Sequence, residues 1–196
     1  MKLSRWMILI FTISWGLGPI ARLVSGADLY QGRVLDEETS QPLAGAAVTV
    51  VWFRSPILGL EGTRDFQSAQ ETVTDTDGKF SLVVSPGIDW NPFSYIRKEP
   101  EIVIYQPGYE PTWAGWRVRN KLQNGKFADA LSKGATIKLP KLKTDKEQKN
   151  FAGLPLEVSP GVPRESIPQL LRVVNMQRKM VGYPLYPDPT AGGKKS

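Results

Sequence analysis

The sequence predicts a mainly β protein, a seven-stranded antiparallel β-sandwich followed by two short C-terminal helices. Short runs of β-forming residues alternate between apolar and polar side chains, and turn-forming residues separate them. The chain of 196 residues contains 18 Gly and 16 Pro, which is typical of a fold with many turns. Helical periodicity occurs only near the C-terminus. The length suits one domain with a core and appendages.

The first 27 residues are predicted to be a signal peptide. A basic start precedes a mostly apolar run, and Ser25 and Ala27 then stand where signal peptidase requires small side chains. Cleavage is therefore expected after Ala27, with cleavage after Gly26 as the alternative. An uncleaved membrane anchor is the less favoured interpretation, because a span needs about 20 apolar residues and this run is short and broken by glycine.

The predicted signal peptide implies export, to the periplasm or the extracellular space, with no stable membrane insertion after cleavage. The mature chain then divides into a β-sandwich at 28–143, a helical extension at 144–183 and a disordered tail at 184–196 that is rich in Pro and Gly. The chain has no cysteine, so no disulfide contributes to the fold.

The charge of the chain gives little reason to expect a nucleic-acid partner. Loss of Lys2, Arg5 and Arg22 with the signal peptide leaves 22 of the 25 basic residues against 19 acidic ones, a net charge of +3. The basic residues are scattered except for one run of lysines, and such runs are usually solvated surface. This run contains Lys138, Lys141, Lys143, Lys146 and Lys149.

Two predicted strands and a polar connection follow the signal peptide. Tyr30, Gly32 and Val34 alternate along the first strand. Residues 36–42 read DEETSQP and cannot continue a half-buried strand. Residues 46–53 have few polar positions on either face, so the second strand is expected to be central in its sheet.

The remaining strands are predicted from the same alternation. Residues 72–84 are interpreted as a hairpin, 101–111 as a strand that closes on a Pro-Gly turn, and 135–143 as the last strand. Residues 54–70 have no clear period and are interpreted as a long loop or a frayed hairpin.

Two helices are predicted after the last strand. Thr144 and Glu147 form a capping box at the start of the first, which ends at a glycine. In the second, Ser166 is the expected cap, Pro168 lies in the first turn and Gly182 ends the helix. Its apolar stripe, which we expect to pack against the sandwich, contains Ile167, Leu170, Leu171, Val174 and Val181.

The stretch TVTDTDGKFSL at 72–82 suits either a calcium loop or a turn. With Gly78 at the sixth position of an EF-hand loop, Asp75 and Asp77 would be ligands, but the first and twelfth positions are Val73 and Val84. An Asp-Gly pair between β runs instead predicts a tight turn whose aspartate accepts hydrogen bonds from backbone amides. We interpret Asp75, Asp77 and Gly78 as a structural turn, and no metal or cofactor is predicted.

Three stretches together resemble the carboxypeptidase regulatory-like domain, a transthyretin-like or prealbumin-like β-sandwich. They are GRVLDEETSQPLAGAAVTV at 32–50, ETVTDTDGKFSLVVSPG at 71–87 and YQPGYEP at 105–111. The resemblance covers about residues 29–109 and is completed by the strand near 135–142. Its positions are the Gly-x-Val start at Gly32, residues 39–42, Leu43, Gly45, Val48, Thr74, Asp75, Asp77, Gly78 and Phe80.

The resemblance implies a non-catalytic accessory role, as for the domains of this family beside metallocarboxypeptidases and in exported bacterial proteins. The chain has no histidine, so it cannot assemble the usual zinc site of those peptidases. The same absence excludes hydroxyisourate hydrolases and intradiol dioxygenases, which use histidines on similar sandwiches. Residues 54–70 and 90–116 depart from a minimal domain of this family, and an individual function is expected there.

Carboxylate pairs are the remaining catalytic candidates. Glu99 with Glu101, or Asp75 with Asp77, offers an acid and a base of the kind that glycoside hydrolysis uses. No feature of the sequence distinguishes either pair from solvated surface charge. We therefore predict that the protein is not an enzyme.

Aromatic residues between 90 and 116 are the better candidates for a site. Flat rings in loops at one end of a sandwich can stack on sugars or hold a peptide. We predict ligand binding by Trp90, Tyr95, Trp113 and Trp116. The alternative, which is favoured for most of these rings, is that they close the ends of the core or cover the helices, because aromatic side chains of this size are more often buried than exposed.

The predicted function is that of an exported, non-catalytic β-sandwich module that contacts an envelope protein or a glycan. The alternative is a carbohydrate-binding or adhesive protein that uses the aromatic loops at 90–116. A more distant alternative is an uncharacterised hydrolase.

Overall fold

A computed structural model describes residues 27–57, 64–87, 93–96, 100–112, 127–152 and 161–188. The described chain is mainly β, with seven strands in two sheets. The strands are β1 (Asp28–Asp36), β2 (Ala47–Pro56), β3 (Asp65–Val73), β4 (Lys79–Val84), β5 (Ser94–Ile96), β6 (Glu101–Tyr105) and β7 (Ala135–Leu139). Three helices follow β6, namely α1 (Phe127–Ser132), α2 (Asp145–Phe151) and α3 (Pro168–Met180), with a 3-10 turn at Arg164–Ser166. The predicted signal peptide lies outside the described residues, apart from Ala27.

The two sheets share one core. In the three-stranded sheet β1 lies between β4 and β7, and in the four-stranded sheet β2 lies between β3 on one side and β5 and β6 on the other. The prediction that β2 is central is therefore confirmed. The buried core contains Tyr30, Val34, Phe80, Val84, Ile137 and Leu139 from the first sheet and Val48, Val50, Trp52, Ile102 and Ile104 from the second.

The prediction of a purely antiparallel arrangement is wrong at one pair of strands. β7 runs parallel to β1, with Val34 opposite Ile137. A parallel partner requires a long connection, because the chain must return to its starting end before it pairs. That connection includes α1, a helix that was not predicted and that packs against β1 and β7.

The prediction of a hairpin at 72–84 is also wrong, although a tight turn is present. β3 pairs with β2 in one sheet, and β4 pairs with β1 in the other. The backbone of Thr74 remains hydrogen-bonded to β2, since its N–H donates to the Ala46 carbonyl at 3.0 Å. The turn therefore carries the chain from one sheet to the other.

Of the two interpretations of residues 54–70, a long loop or a frayed hairpin, the structure shows the hairpin, since much of the segment belongs to two strands that pair antiparallel. β2 continues to Pro56, β3 begins at Asp65, and Arg54 lies opposite Asp65 in the antiparallel register. A register shift between Trp52 and Phe53 interrupts the alternation of β2. A bulge of this kind obscures the period of two that identifies a strand in a sequence.

The capping box predicted for α2 is confirmed. The Glu147 N–H donates to Thr144 Oγ1 at 3.2 Å, and the Thr144 N–H donates to Glu147 Oε2 at 3.0 Å. These reciprocal bonds satisfy two backbone donors at the helix start.

The N-terminal cap predicted for α3 is wrong. Ser166 lies in the 3-10 turn, and the cap position is Ile167, whose side chain makes no capping bond. A strand supplies the cap instead, because the carboxylate of Glu71 in β3 accepts from the N–H groups of Gln169 and Leu170 at 2.8 and 3.0 Å. Pro168 lies in the first turn, as predicted.

The predicted packing of α3 against the sheets is confirmed. Its inner face covers the outer surface of the four-stranded sheet at one end of β2. This second core contains Ala47, Val103, Tyr105, Ile167, Leu170, Val173 and Val174. Since α3 covers one face of β2 and the first sheet covers the other, β2 is apolar on both faces.

Residues 184–188 open the segment predicted as a disordered tail, and they lie along α3. The N–H of Tyr186 donates to Asn175 Oδ1 at 2.8 Å, and Asn175 Nδ2 donates to the Tyr186 carbonyl at 3.0 Å. Arg178 contacts the faces of the Tyr183 and Tyr186 rings. The rest of that tail, from 189 onward, lies outside the described residues.

Among the helices that the structure describes, none has the length and apolar character needed to cross a membrane.

Candidate functional site

Only one of the four predicted ligand-binding aromatics can be placed. Trp90, Trp113 and Trp116 lie outside the described residues. Tyr95 lies in β5, at the edge of the four-stranded sheet, and its side chain is 55% exposed. Its position leaves the ring accessible for contact with a partner.

Tyr95 belongs to an exposed apolar patch, which we call the aromatic corner and define as Ile57, Phe93 and Tyr95. The Ile57 N–H donates to the Phe93 carbonyl at 2.8 Å, which continues the register that places Ser55 opposite Tyr95. Opposite residues and residues two apart share a face of a sheet, so the three side chains lie on one face. Ile57 is 58% exposed and Phe93 is 74% exposed.

The sheet next to the aromatic corner is held by a charged cluster. Arg64 forms an ion pair with Glu101, and its guanidinium lies 4.5 Å from the centre of the Phe53 ring. Arg54 and Asp65 approach to 3.8 Å across β2 and β3. These contacts link β2, which ends one residue before Ile57, to β3 and β6.

Two other aromatics of the predicted cluster serve the fold. Tyr105 is buried beneath α3, and its hydroxyl donates to the Phe151 carbonyl at 3.2 Å. The Tyr109 hydroxyl donates to Asp36 Oδ2 at 2.9 Å. For these two residues the alternative interpretation, in which the rings close the core, is the one that the structure shows.

Asp36, which is buried, and Tyr109, which is partly buried, form a polar pair. Asp36 Oδ1 also accepts from the N–H groups of Glu38 and Thr39, both at 2.8 Å. Backbone donation from Thr39 is the largest cause that lowers the pKa of Asp36. Burial, followed by the hydrogen bond and charge of Asp36, raises the pKa of Tyr109 to about 12. The pair ties β1 to the turn after β6.

Asp75, Asp77 and Gly78 form a turn in the structure. Asp75 Oδ1 accepts from the N–H groups of Asp77 and Lys79 at 2.9 and 2.8 Å. The Asp77 carboxylate lies 3.3 Å from Lys79 Nζ. Both aspartates therefore have partners within the turn itself.

The turn is joined to the rest of the fold by Thr74 and Gly78. Thr74 Oγ1 donates to the Leu43 carbonyl at 2.6 Å and accepts from the Ala46 N–H at 2.9 Å. The Gly78 carbonyl accepts from the Val34 N–H at 2.7 Å. We call this set of bonds the sheet junction, because it links β1 and β3 across the two sheets. Leu43, Thr74 and Gly78, three of the positions that carry the family resemblance, lie in it.

The carboxylate pairs considered above as catalytic candidates have other partners where the structure describes them. Asp75 and Asp77 have the partners described above, Glu101 pairs with Arg64, and Glu99 lies outside the described residues. In the described part of the chain, no three acidic, His or Cys side chains are grouped so that they could hold a metal ion.

A groove on the outer side of α3 is the second candidate, and sequence reasoning missed it. It has a volume of about 430 Å³ and lies between α3 and residues 185–188. We call it the α3 groove. Its lining includes Leu171, Arg172, Met176, Lys179, Leu185 and Asp188. Met176 could have indicated this groove from the sequence, because an apolar residue on the polar side of an amphipathic helix is unusual.

Comparison with known proteins gives no family. No family model matches the chain, and no curated protein matches it. Among solved structures, part of the chain is similar to a 9R-lipoxygenase from Cyanothece, with 20% identity and a TM-score of 0.26. The match covers 43% of this chain and 11% of the lipoxygenase chain. This likeness is too small to assign a fold or an activity.

Proposed function

We propose that this chain is an exported, non-catalytic binding module of the carboxypeptidase regulatory-like kind, which contacts a protein at the cell envelope. The aromatic corner carries the proposal. Two exposed aromatic rings and an exposed isoleucine on one face of a sheet edge form a surface with much apolar area. Contiguous exposed apolar patches rimmed by polar residues mark interaction sites.

Two further observations support the assignment to this family. The described chain has seven strands in two sheets around a common core, as a prealbumin-like sandwich requires. The quoted motif residues Thr74 and Gly78 hold the sheet junction, so their pattern is explained by folding and needs no chemistry. The predicted signal peptide, with cleavage near Ala27, supports a periplasmic or extracellular location.

A double substitution in the aromatic corner tests the proposal. Ile57→Ser with Tyr95→Ala should reduce retention of the envelope partner by at least about tenfold, because central aromatic contacts dominate interfaces. The matched control is Leu29→Ser with Val83→Ser, an exposed apolar pair on the other sheet. Affinity capture from the envelope fraction of the exporting cell, quantified for each variant, provides the measurement.

A glycan partner is the second candidate, because the exposed Tyr95 ring suits stacking on a sugar. Binding to a glycan array that Tyr95→Ala abolishes, together with protein capture that stays unchanged, would favour it. Equal capture by the corner variant, the control variant and the native protein would remove the aromatic corner as a contact surface.

A further inference from the structure

Helix α3 carries apolar side chains on its outer face as well as on its inner face. Met176 is 49% exposed and Met180 is 62% exposed, although a helix that packs one face on a sheet normally has a polar outer face. The segment beside it adds Tyr183 and Leu185, which are 39% and 56% exposed. Of these four exposed apolar side chains, Met176 and Leu185 line the same groove. Exposed methionines are adaptable contact residues.

The surface is concave where the α3 groove lies. Leu171, Met176 and Leu185 line it with apolar atoms, and Arg172 and Lys179 stand on the helix beside them. A groove of about 430 Å³ has room for a large apolar side chain together with neighbouring atoms of the same peptide segment. A flat membrane surface could not fill it.

The charge of this surface favours an acidic partner. Residues 168–180 include Arg172, Arg178 and Lys179 and no acidic residue. Arg172 donates hydrogen bonds to two neighbours on its own helix, Gln169 Oε1 at 3.4 Å and the Met176 sulfur at 3.8 Å. One acid, Asp188, lines the groove against the two bases. Complementary charge across an interface selects and orients the partner.

The chain itself shows that α3 can bind an extended peptide. Asn175 makes both backbone hydrogen bonds to Tyr186, at 2.8 and 3.0 Å. The Tyr186 ring lies between the guanidiniums of Arg164 and Arg178, at 4.6 and 4.1 Å from its centre. Side-chain amides and arginines therefore already hold one segment along this helix, and the α3 groove lies beside that segment.

We propose that the α3 groove binds an acidic peptide segment of a partner protein, with one apolar side chain inserted between α3 and Leu185. Carboxylates of the segment pair with Arg172 and Lys179. This surface is separate from the aromatic corner, since α3 covers Ala47 at one end of β2 and Ile57 follows its other end, about 30 Å away at the rise of an extended strand.

The test uses the purified protein and a short labelled peptide in which a central Leu-Phe pair is flanked by glutamates. Its counterpart carries lysines in place of the glutamates. Fluorescence anisotropy should show binding of the acidic peptide that weakens as salt is added. Arg172→Glu with Lys179→Glu should lower that affinity about tenfold and make the lysine peptide the better ligand.

Two matched controls isolate the groove. Lys146→Glu with Lys149→Glu makes the same charge change on the exposed surface of α2 and should leave the affinity unchanged. Met176→Gln should weaken binding at unchanged charge, whereas Met180→Gln, at a methionine that does not line the groove, should not. Circular dichroism of each variant checks that the fold is retained.

Three outcomes would overturn the inference. The first is that the native protein does not bind the acidic peptide. The second is that the α2 variant loses as much affinity as the α3 variant. The third is that vesicles containing phosphatidylglycerol bind through Arg172 and Lys179 while the acidic peptide does not compete, which would make this a membrane-contacting surface.

Discussion

Gly78 occupies a position where a Cβ atom would lie 2.4 Å from the Val34 carbonyl oxygen, at a φ of +72°. Gly78→Ala should therefore destabilise the protein by about 3 kcal/mol, from backbone strain and from displacement of β1. Gly45 is the matched control, because it has a similar φ of +76° and nothing within 4 Å of its added Cβ. Gly45→Ala should cost about 1 kcal/mol.

Urea denaturation followed by circular dichroism measures both glycine variants. Equal losses of stability would contradict the close approach between the turn and β1. They would show that the positive φ alone, which both positions share, sets the cost. A larger loss at Gly78 would show that the sheet junction depends on backbone contact.

Tyr109 should make stability depend on alkaline pH. Its pKa is about 12 in the folded protein, against an ordinary value of 10.0, so folding favours the neutral phenol. Its contribution is fully present below pH 10 and is lost as the pH rises towards 12. Tyr109→Phe should be about 1 kcal/mol less stable than the native protein at pH 8, because the bond to Asp36 is lost.

The difference in stability between the native protein and Tyr109→Phe should shrink between pH 10 and about 12. Only in the native protein does ionisation of this phenol favour the unfolded state. Burial also raises the pKa values of Tyr30 and Tyr105, but those residues are present in both proteins. Urea denaturation at several pH values gives the comparison. A difference that stays constant up to pH 12 would contradict it.

At the scale of elements, Glu71 joins a strand to a helix that follows it by 98 residues. Glu71→Ala should destabilise the protein by about 1–2 kcal/mol, because the first amides of α3 lose their acceptor. Exchange of the Gln169 and Leu170 amide hydrogens should become faster. Unchanged hydrogen exchange at these two amides would contradict the prediction. It would show that water can replace the carboxylate as acceptor without loss of stability.

Glu71→Gln removes the charge and keeps an acceptor for only one of the two α3 amides, because a side-chain amide has a single acceptor oxygen. Burial is the largest cause that raises the pKa of Glu71 above its ordinary value of 4.5, so the ionised form costs stability. The native protein should therefore gain stability relative to Glu71→Gln as the pH falls towards 4.5. Paired urea titrations at pH 7 and 5 measure the change, and movement in the opposite direction would contradict it.

Local patterns predicted individual elements well. The alternation in β1, β4 and β7 identified their buried faces, and the capping box identified α2, because each signal lies within a few neighbouring residues. The choice of partner strand was not predictable in this way. β4 pairs with β1 and not with β3, which depends on the bonds that Thr74 and Gly78 make with distant strands.

The candidate sites were equally hard to predict, because they also depend on contacts between segments that are distant in the sequence. Tyr95 was selected by its type and is exposed, but its neighbour Ile57 comes from another strand and only the register brings the two together. The α3 groove requires residues 185–188 to lie along α3, which depends on Asn175 and two arginines. The alternation of apolar and polar residues within a segment does not show which distant segment it will contact.

At the scale of the whole molecule, α3 covers apolar surface that the sheets cannot bury alone. A chain that ends at Ala152 would uncover Ala47, Val103 and Tyr105, which are at most 4% exposed in the full chain. We expect this truncated protein to aggregate or to bind a hydrophobic dye, because a contiguous apolar patch of this kind is not tolerated on a monomer.

A chain that ends at Asp188 is the matched control and should stay monomeric. Gel filtration and dye fluorescence distinguish the two truncations. If the protein ending at Ala152 is monomeric and unfolds like the full chain, the sheets are stable without α3. That outcome would contradict the expectation that α3 is needed to cover their apolar surface.

The parallel pairing of β1 with β7 limits when the three-stranded sheet can finish folding. Gly32 pairs with Ala135, about a hundred residues later, and contacts so distant in sequence form slowly. One edge of the first sheet therefore remains open until β7, at Ala135–Leu139, has left the ribosome. The export that we propose would require an unfolded precursor, and the late pairing of β7 would help to keep the precursor unfolded.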